Sequence, residues 1–222
     1  MKFREYKYLV WSDFYRITGN FRALTLVLYI LLGGTFRYCF WMRTCRFTRH
    51  NRLLAFVAFP FARIMLHRLT YKLGISIPFQ TEIGSGLCIV HCGDVTVNSK
   101  SVIGKNCNIS QGVTLGQANR GRNKGYPTLG DNVYIGPGAK IVGGVKIGNN
   151  VAIGANCVVT RDVPDDSVVV GVPGKVISRD GAKGYINRID YEDKLKTRAI
   201  YSINQLPKAV GTPVESLIDW VI

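Results

Sequence analysis

Histidine is scarce in this sequence: 222 residues carry three, at positions 50, 67 and 91. Cys88, His91 and Cys92 lie close together, but no second ligand pair follows at a usable spacing, so no metal is expected. A zinc enzyme on such a repeat that takes two histidines from one subunit and a third from its neighbour fails by the same count, since His50 and His67 fall outside the repeat described below. The N-terminus, "MKFREYKYLVWSDFYRITG", lacks an apolar h-region and a cleavage site, which points away from secretion. The six cysteines (39, 45, 88, 92, 107 and 157) are then expected to be free thiols in a reducing cytosol, acting as small apolar fillers. Long apolar runs are also missing. "ALTLVLYILLGGTF" holds 14 uncharged residues and "LLAFVAFPFA" holds 10, short of the roughly 20 that span a bilayer. No helix-turn-helix, zinc finger or stacking platform appears, so nucleic acid is not an expected partner. No Gly-rich phosphate loop precedes the repeat, which removes a nucleotidyltransferase.

Acidic residues are few, and their shortage is local. Residues 1–76 hold 13 Lys or Arg against 2 Asp or Glu, whereas 77–177 hold 9 against 6 and 178–222 hold 7 against 6. The basic excess of a chain with net charge +15 therefore sits in its N-terminal third, and a basic block calls for an anionic partner. Residues 1–76 read as a basic, apolar helical region whose uncharged stretches are edged by Arg37, Arg43, Arg46, Arg49 and Arg52. Two readings fit: a helix pair lying in a membrane interface, or a buried helical subdomain that also makes an oligomer contact. The expected location is the cytoplasm, with contact to the inner face of the membrane under the first reading.

Residues 77–177 carry a repeat of six. Aliphatic residues recur at Ile77, Ile83, Ile89 and Val95; after a two-residue slip they resume at Val97, Ile103, Ile109 and Leu115. A loop at 117–128 interrupts the series, which returns at Leu129, Ile135, Ile141, Ile147, Ile153 and Val159. Period six is the signature of a parallel β-helix, in which each hexad gives one short strand and a turn. Gly and Asn at the corners adopt backbone conformations other residues resist. The expected class is mainly β: a hexapeptide β-helix with an N-terminal helical region and a C-terminal helical cap. Residues 178–222 supply that cap. "TPVESLIDWVI" starts a helix, with Thr212 as N-cap, Pro213 first in the helix and Glu215 closing a capping box.

The stretch "VHCGDVTVN…ISQGVTLG…YPTLGDNVYIGPGAKIVGG…IGANCVVTRDVPDDSVVVGVPGKVI" resembles the serine acetyltransferase branch of the hexapeptide acyltransferases, over roughly residues 75–177. The resemblance implies a left-handed β-helix, a homotrimer, acetyl-CoA as donor, and active sites between neighbouring subunits that the 117–128 loop helps to form. It places the family's catalytic histidine at His91. The chemistry is sound on its own terms: a neutral imidazole can take the acceptor hydroxyl's proton as its oxygen attacks the thioester, then protonate the departing thiolate. On the donor side the resemblance marks Gln111, Gly112 and Gly116 before the loop. It also marks Gly136, Pro137, Gly138 and Ala139 in "IGPGAK", Gly154 and Ala155 in "IGAN", and Lys175 in "GVPGKV" for a CoA phosphate. The plain alternative for each Gly is a β-helix corner, and for Lys140 and Lys146 a solvated face.

The acceptor side departs from the family. Val90 stands where an Asp precedes the histidine, and Ser76 where an Asp lies fifteen residues before it. Lys124, Gly125 and Tyr126 replace an acidic residue and an Arg-His pair, and Ser99 replaces a glutamate. These departures remove the groups that would hold serine's ammonium and carboxylate. They favour a sugar hydroxyl, as in the capsule and exopolysaccharide enzymes that similar sequences resemble, over serine itself. Tyr126 and Asp13 are candidate acceptor contacts, and Asp94 and Ser76 candidates beside His91. The rivals are a serine acetyltransferase with a rebuilt pocket and a non-catalytic β-helix scaffold.

Overall fold

The computed structural model describes residues 1–204; the helix expected from Thr212 lies outside the described residues. Four helices open the chain: α1 (Phe3–Thr18), α2 (Ala23–Leu32), α3 (Gly34–His50) and α4 (Arg52–Leu73). Each boundary has a local cause. Gly19 ends α1 with a left-handed φ of 72°, its N–H bonded to the Tyr15 carbonyl. The Asn51 side chain accepts from the Leu54 N–H at the start of α4, and Gly74, φ 61°, ends it, the expected N-cap and C-cap chemistry. One helix among the described residues, at Leu53–Leu73, is long and apolar enough to cross a membrane. Counting uncharged residues misses this because a few charges within a 22-residue helix cut the run short.

From Ile75 the chain winds into a three-faced coil of parallel strands. The first face stacks β1 (Ile75–Ser76), β4 (Val95–Val97), β7 (Thr114–Gly116), β10 (Lys140–Val142) and β13 (Val158–Val159). The second stacks β2 (Glu82–Ile83), β5 (Val102–Ile103), β8 (Thr128–Leu129) and β11 (Lys146–Ile147). The third stacks β3 (Cys88–Ile89), β6 (Asn108–Ile109), β9 (Tyr134–Ile135), β12 (Ala152–Ile153), β14 (Val168–Val170) and an antiparallel β15 (Lys175–Ser178). The hexad aliphatics point inward: Ile89, Ile109, Ile135 and Ile153 stack down the third face and are fully buried. Trimming Ile135 to Val should cost about 1 kcal/mol, read as a lower urea midpoint with an unchanged slope. Because each hexad yields a strand of only two or three residues, helical residues outnumber strand residues among the described residues. "Mainly β" therefore fits the coil and not the whole chain.

The helices cover the open end of the coil. The first coil is an edge in all three sheets, so its outward carbonyls need donors from elsewhere. Arginines supply them. Arg43 donates to the Ile83 and Gly84 carbonyls at 2.7 and 2.6 Å, Arg46 to Thr81 at 2.8 Å, and Arg16 to Gly86 at 3.2 Å. Part of the basic excess thus stitches helix to coil and needs no external anion. Ala62, Leu66 and Leu69 of α4 join the same apolar core as Ile75 and Ile77.

The C-terminal segment touches the last coil only at its start, where Ser178 pairs with Val168 and Arg179 donates to the Asp165 carbonyl and to Ser167. It runs back beside the coil toward the helices. The Ala182 N–H bonds to the Asn150 carbonyl, Tyr185 stacks on Tyr134 at 4.6 Å, and the Tyr185 carbonyl accepts from Asn108 at 3.1 Å. Helix α5 (Tyr191–Asn204) then reaches the first coil, where the Tyr191 hydroxyl pairs with Ser85 at 2.9 Å. Burial pushes that phenol up to about 12, so it stays protonated as a structural group.

Candidate active site

Register shows where the regular coil is broken. Along the second half the coils repeat at 18 residues, as from Lys140 to Val158, which is three hexads. From Val102 to Thr128 the offset is 26, because the 117–128 loop is inserted. From Ile75 to Val95 it is 20. Those two extra residues fall in one corner. Five residues, 90–94, separate the buried Ile89 and Val95, where three separate Ile109 from Val113, Ile135 from Ala139, and Ile153 from Cys157. The enlarged corner carries His91 outward, and the ring is exposed.

The corner is held from both sides. The Gly93 N–H bonds to the Leu73 carbonyl at 2.8 Å, and the Gly93 carbonyl accepts from Gly112 at 2.8 Å. Gly93 takes φ 112° and Asp94 φ 52°. The latter matches Asn106, Asn132, Asn150 and Asn156 at other corners, where Asn and Asp tolerate left-handed backbone. Asp94 thus serves the turn. Among the described residues, neither its carboxylate nor the His91 ring has a hydrogen-bond partner, so the role of orienting His91 has no support in this geometry.

Below His91, on the edge between the third and first faces, lie Gln111, then Gly136, Pro137, Gly138 and Ala139, then Gly154 and Ala155, and finally the turn to Lys175. The stacking follows from the backbone: Gly138 donates to the Gln111 carbonyl at 2.9 Å and Asn156 to the Pro137 carbonyl at 2.8 Å, while Gly174 donates to the Val158 carbonyl at 2.8 Å. Four strand steps separate the first coil from the last on this face, roughly 19 Å at the usual inter-strand spacing. A Cβ on Gly136 would come 2.8 Å from the Ala155 nitrogen, so close coil stacking alone requires glycine there. Gln111 Oε1 is buried and without a partner among the described residues. Lys140 is not solvated in the way its sequence suggests: its Nζ donates to the Gly112 carbonyl at 2.6 Å and to Thr114 at 3.1 Å.

The other candidates lie elsewhere. Gly116 ends β7 and leads into the loop, away from the His91 edge. The loop folds on itself through an Ala118–Gly125 bridge and lies along the next coils. Asn123 donates to the Thr160 carbonyl at 2.6 Å, and the Gly144 N–H bonds to the Asn123 carbonyl. Gly143, φ 98°, has no room for a Cβ beside that carbonyl. Tyr126 sits under the Lys100 ammonium, 5.2 Å from its ring centre, on the edge between first and second faces. One chain therefore does not bring Tyr126 and His91 together. Ser76 faces a cavity of about 330 Å³ that Arg63, His67, Tyr71 and Gln80 also line. Asp13, a candidate acceptor contact by sequence, sits in the joint between helices and coil. It is fully buried, paired with Arg43 at 3.0 Å, and accepts the Leu87 N–H at 2.8 Å, so its geometry is that of a structural ion pair. Burial also holds the Cys88 thiol above its ordinary range and pushes Cys107 up to about 12. Among the described residues no three His, Cys, Asp or Glu side chains gather as a metal site.

A three-faced coil of hexads, with an exposed histidine at one edge above a column of small residues, is the architecture of a hexapeptide-repeat protein. Residues 126–161 match the family model "Bacterial transferase hexapeptide (six repeats)". A serine acetyltransferase of Staphylococcus epidermidis is 41% identical over 164 residues, covering 72% of this chain and 76% of the relative. One from Synechococcus elongatus is 43% identical over 157 residues, covering 71% and 59%. A solved Neisseria gonorrhoeae serine acetyltransferase in complex with serine aligns with TM-score 0.61 and 30% identity over 78% of this chain and 69% of that one. A serine acetyltransferase complex with CoA aligns at TM-score 0.61 and 28% identity, over 76% and 68%. The chain belongs to the serine acetyltransferase family of hexapeptide transferases, whose repeat implies a left-handed β-helix. It spans 52% to 59% of the length of the first curated relatives it matches.

Proposed function

We propose that the chain transfers an acetyl group from acetyl-CoA to a hydroxyl, with His91 as general base, and that the hydroxyl is that of L-serine. The observation that carries the transfer is the His91 edge: one exposed imidazole at the head of a column of small residues that ends at Lys175. That column suits a long, thin donor. Gln111 Oε1 could accept an N–H from the pantetheine arm, and Lys175, exposed at the start of β15, suits a phosphate. In the reaction the imidazole removes the hydroxyl proton while the oxygen attacks the thioester carbon. The C–S bond then breaks, and the same proton goes to the thiolate. No covalent enzyme intermediate is required.

The relatives support serine as acceptor, since they bear that name and one solved neighbour holds serine. The reading includes a homotrimer, in which a neighbour's loop would bring Tyr126 to the His91 edge that a single chain leaves apart. A second reading, a sugar hydroxyl, rests on one observation. The position before His91 is Val90, 42% exposed, and Ser76 also lacks a carboxylate, so neither of these two positions offers one to serine's ammonium. An assay of CoA release separates them. With L-serine at millimolar concentration, the first reading expects saturable turnover and an O-acetylserine product. Acetyl-CoA binding without serine turnover, together with transfer to a sugar hydroxyl, would establish the second.

A further inference from the structure

We infer that the outer faces of α2 and α4 dock onto an anionic phospholipid surface, with the helices lying in the interface plane. This stands on observations separate from the acetyl-transfer reading. Helix α4 has two apolar stripes at helical spacing. The inner one, Ala62, Leu66 and Leu69, packs into the coil's core. The outer one, Leu53, Val57, Phe61 and Ile64, is exposed, with Leu53 at 84% and the adjoining Phe56 at 86%. An outward helix face in water is ordinarily polar; this one is apolar for its first three turns. Helix α2 buries no residue fully and exposes Leu24, Leu28 and Leu32. The two are linked by an aromatic chain: Phe40, which packs with the α2 cluster, meets Trp41 at 5.2 Å, and Trp41 meets Phe61 at 5.5 Å.

Charge selects the occupant. From Phe14 to Thr81 the chain has no Asp or Glu and ten Lys or Arg. Arg16 and Arg43 are buried, but Arg22, Arg49, Arg63, Arg68 and Lys72 are exposed at the ends and flanks of the apolar faces. A second copy docking through the same face would bring its own cations with no carboxylate in that segment to meet them, and like charges repel. A phospholipid surface offers acyl chains to the leucines and phenylalanines and phosphates to the arginines. Spanning the bilayer would require α4 to withdraw Ala62, Leu66 and Leu69 from the core, so the helix is placed in the interface.

The test is co-sedimentation of the full chain with vesicles of phosphatidylcholine alone or of phosphatidylcholine mixed with phosphatidylglycerol, whose negative surface potential attracts basic segments. Binding to the anionic vesicles is expected to be at least about tenfold tighter than to neutral ones and to weaken in high salt. The exposed double variant Phe56→Ser/Val57→Ser should lose about tenfold or more in binding while keeping its melting temperature and assembly mass. Three results would overturn the proposal: no binding to anionic vesicles, unchanged binding by the double variant, or a fall in assembly mass in that variant. The last would identify the face as a protein contact. Acetyl-transfer activity in solution reads the other proposal separately.

Discussion

Replacing His91 with alanine is expected to lower acetyl transfer by about 100- to 10,000-fold, the range for losing a positioned general base. Binding of acetyl-CoA and the assembly mass should be unchanged. The expectation follows from where the side chain sits. His91 occupies a corner enlarged by two residues, exposed, with no hydrogen bond to its ring among the described residues, so no folding contact depends on it. The corner itself is held by the Gly93 backbone bonds to Leu73 and Gly112, which the substitution leaves intact. CoA release followed by thiol titration, beside a direct CoA binding measurement, reads both halves. An alanine variant with full turnover and intact assembly would remove His91 from the chemistry.

Asp13→Ala is expected to destabilise the fold by about 3–5 kcal/mol, the usual effect of leaving one partner of a buried ion pair uncompensated. Asp13 and Arg43 are both fully buried, and the same arginine holds the Ile83 and Gly84 carbonyls. The Asp13 carboxylate in turn ties α1 to the coil through the Leu87 N–H. Its loss therefore loosens the joint between helices and coil. Removing both charges, as Asp13→Ala/Arg43→Met, should be less damaging than the sum of the single changes. Urea unfolding of the three variants measures this. A stable Asp13→Ala protein with lost acetyl transfer would instead return Asp13 to the acceptor site.

The period-six aliphatics make the coil legible in the sequence, because inward stacking of Ile89, Ile109, Ile135 and Ile153 leaves a direct trace in spacing. The slip between Val95 and Val97 was legible too, but its meaning was not: only strand register shows that the extra residues swell the corner bearing His91. Charge was misleading in part. A composition count cannot tell Arg43, which is bonded to the first coil, from Arg68, which is exposed. Asp13 failed for the same reason, since its partner lies 30 residues away on another helix. The reach of the C-terminal segment was hidden because Tyr185 and Tyr191 obtain their contacts from coils distant in sequence. For the acceptor, residue replacements and relatives pull in opposite directions: Val90 and Ser76 argue against an ammonium site, while the relatives are serine acetyltransferases.

The measurement that bears most directly on the central claim is a crystal structure of the protein with CoA. The thiol is expected within hydrogen-bond reach of the His91 ring, with the pantetheine arm running past Gln111, Gly138 and Ala155 along the same edge and the phosphates near Lys175. CoA seated on another edge, or with its thiol turned away from His91, would contradict the claim.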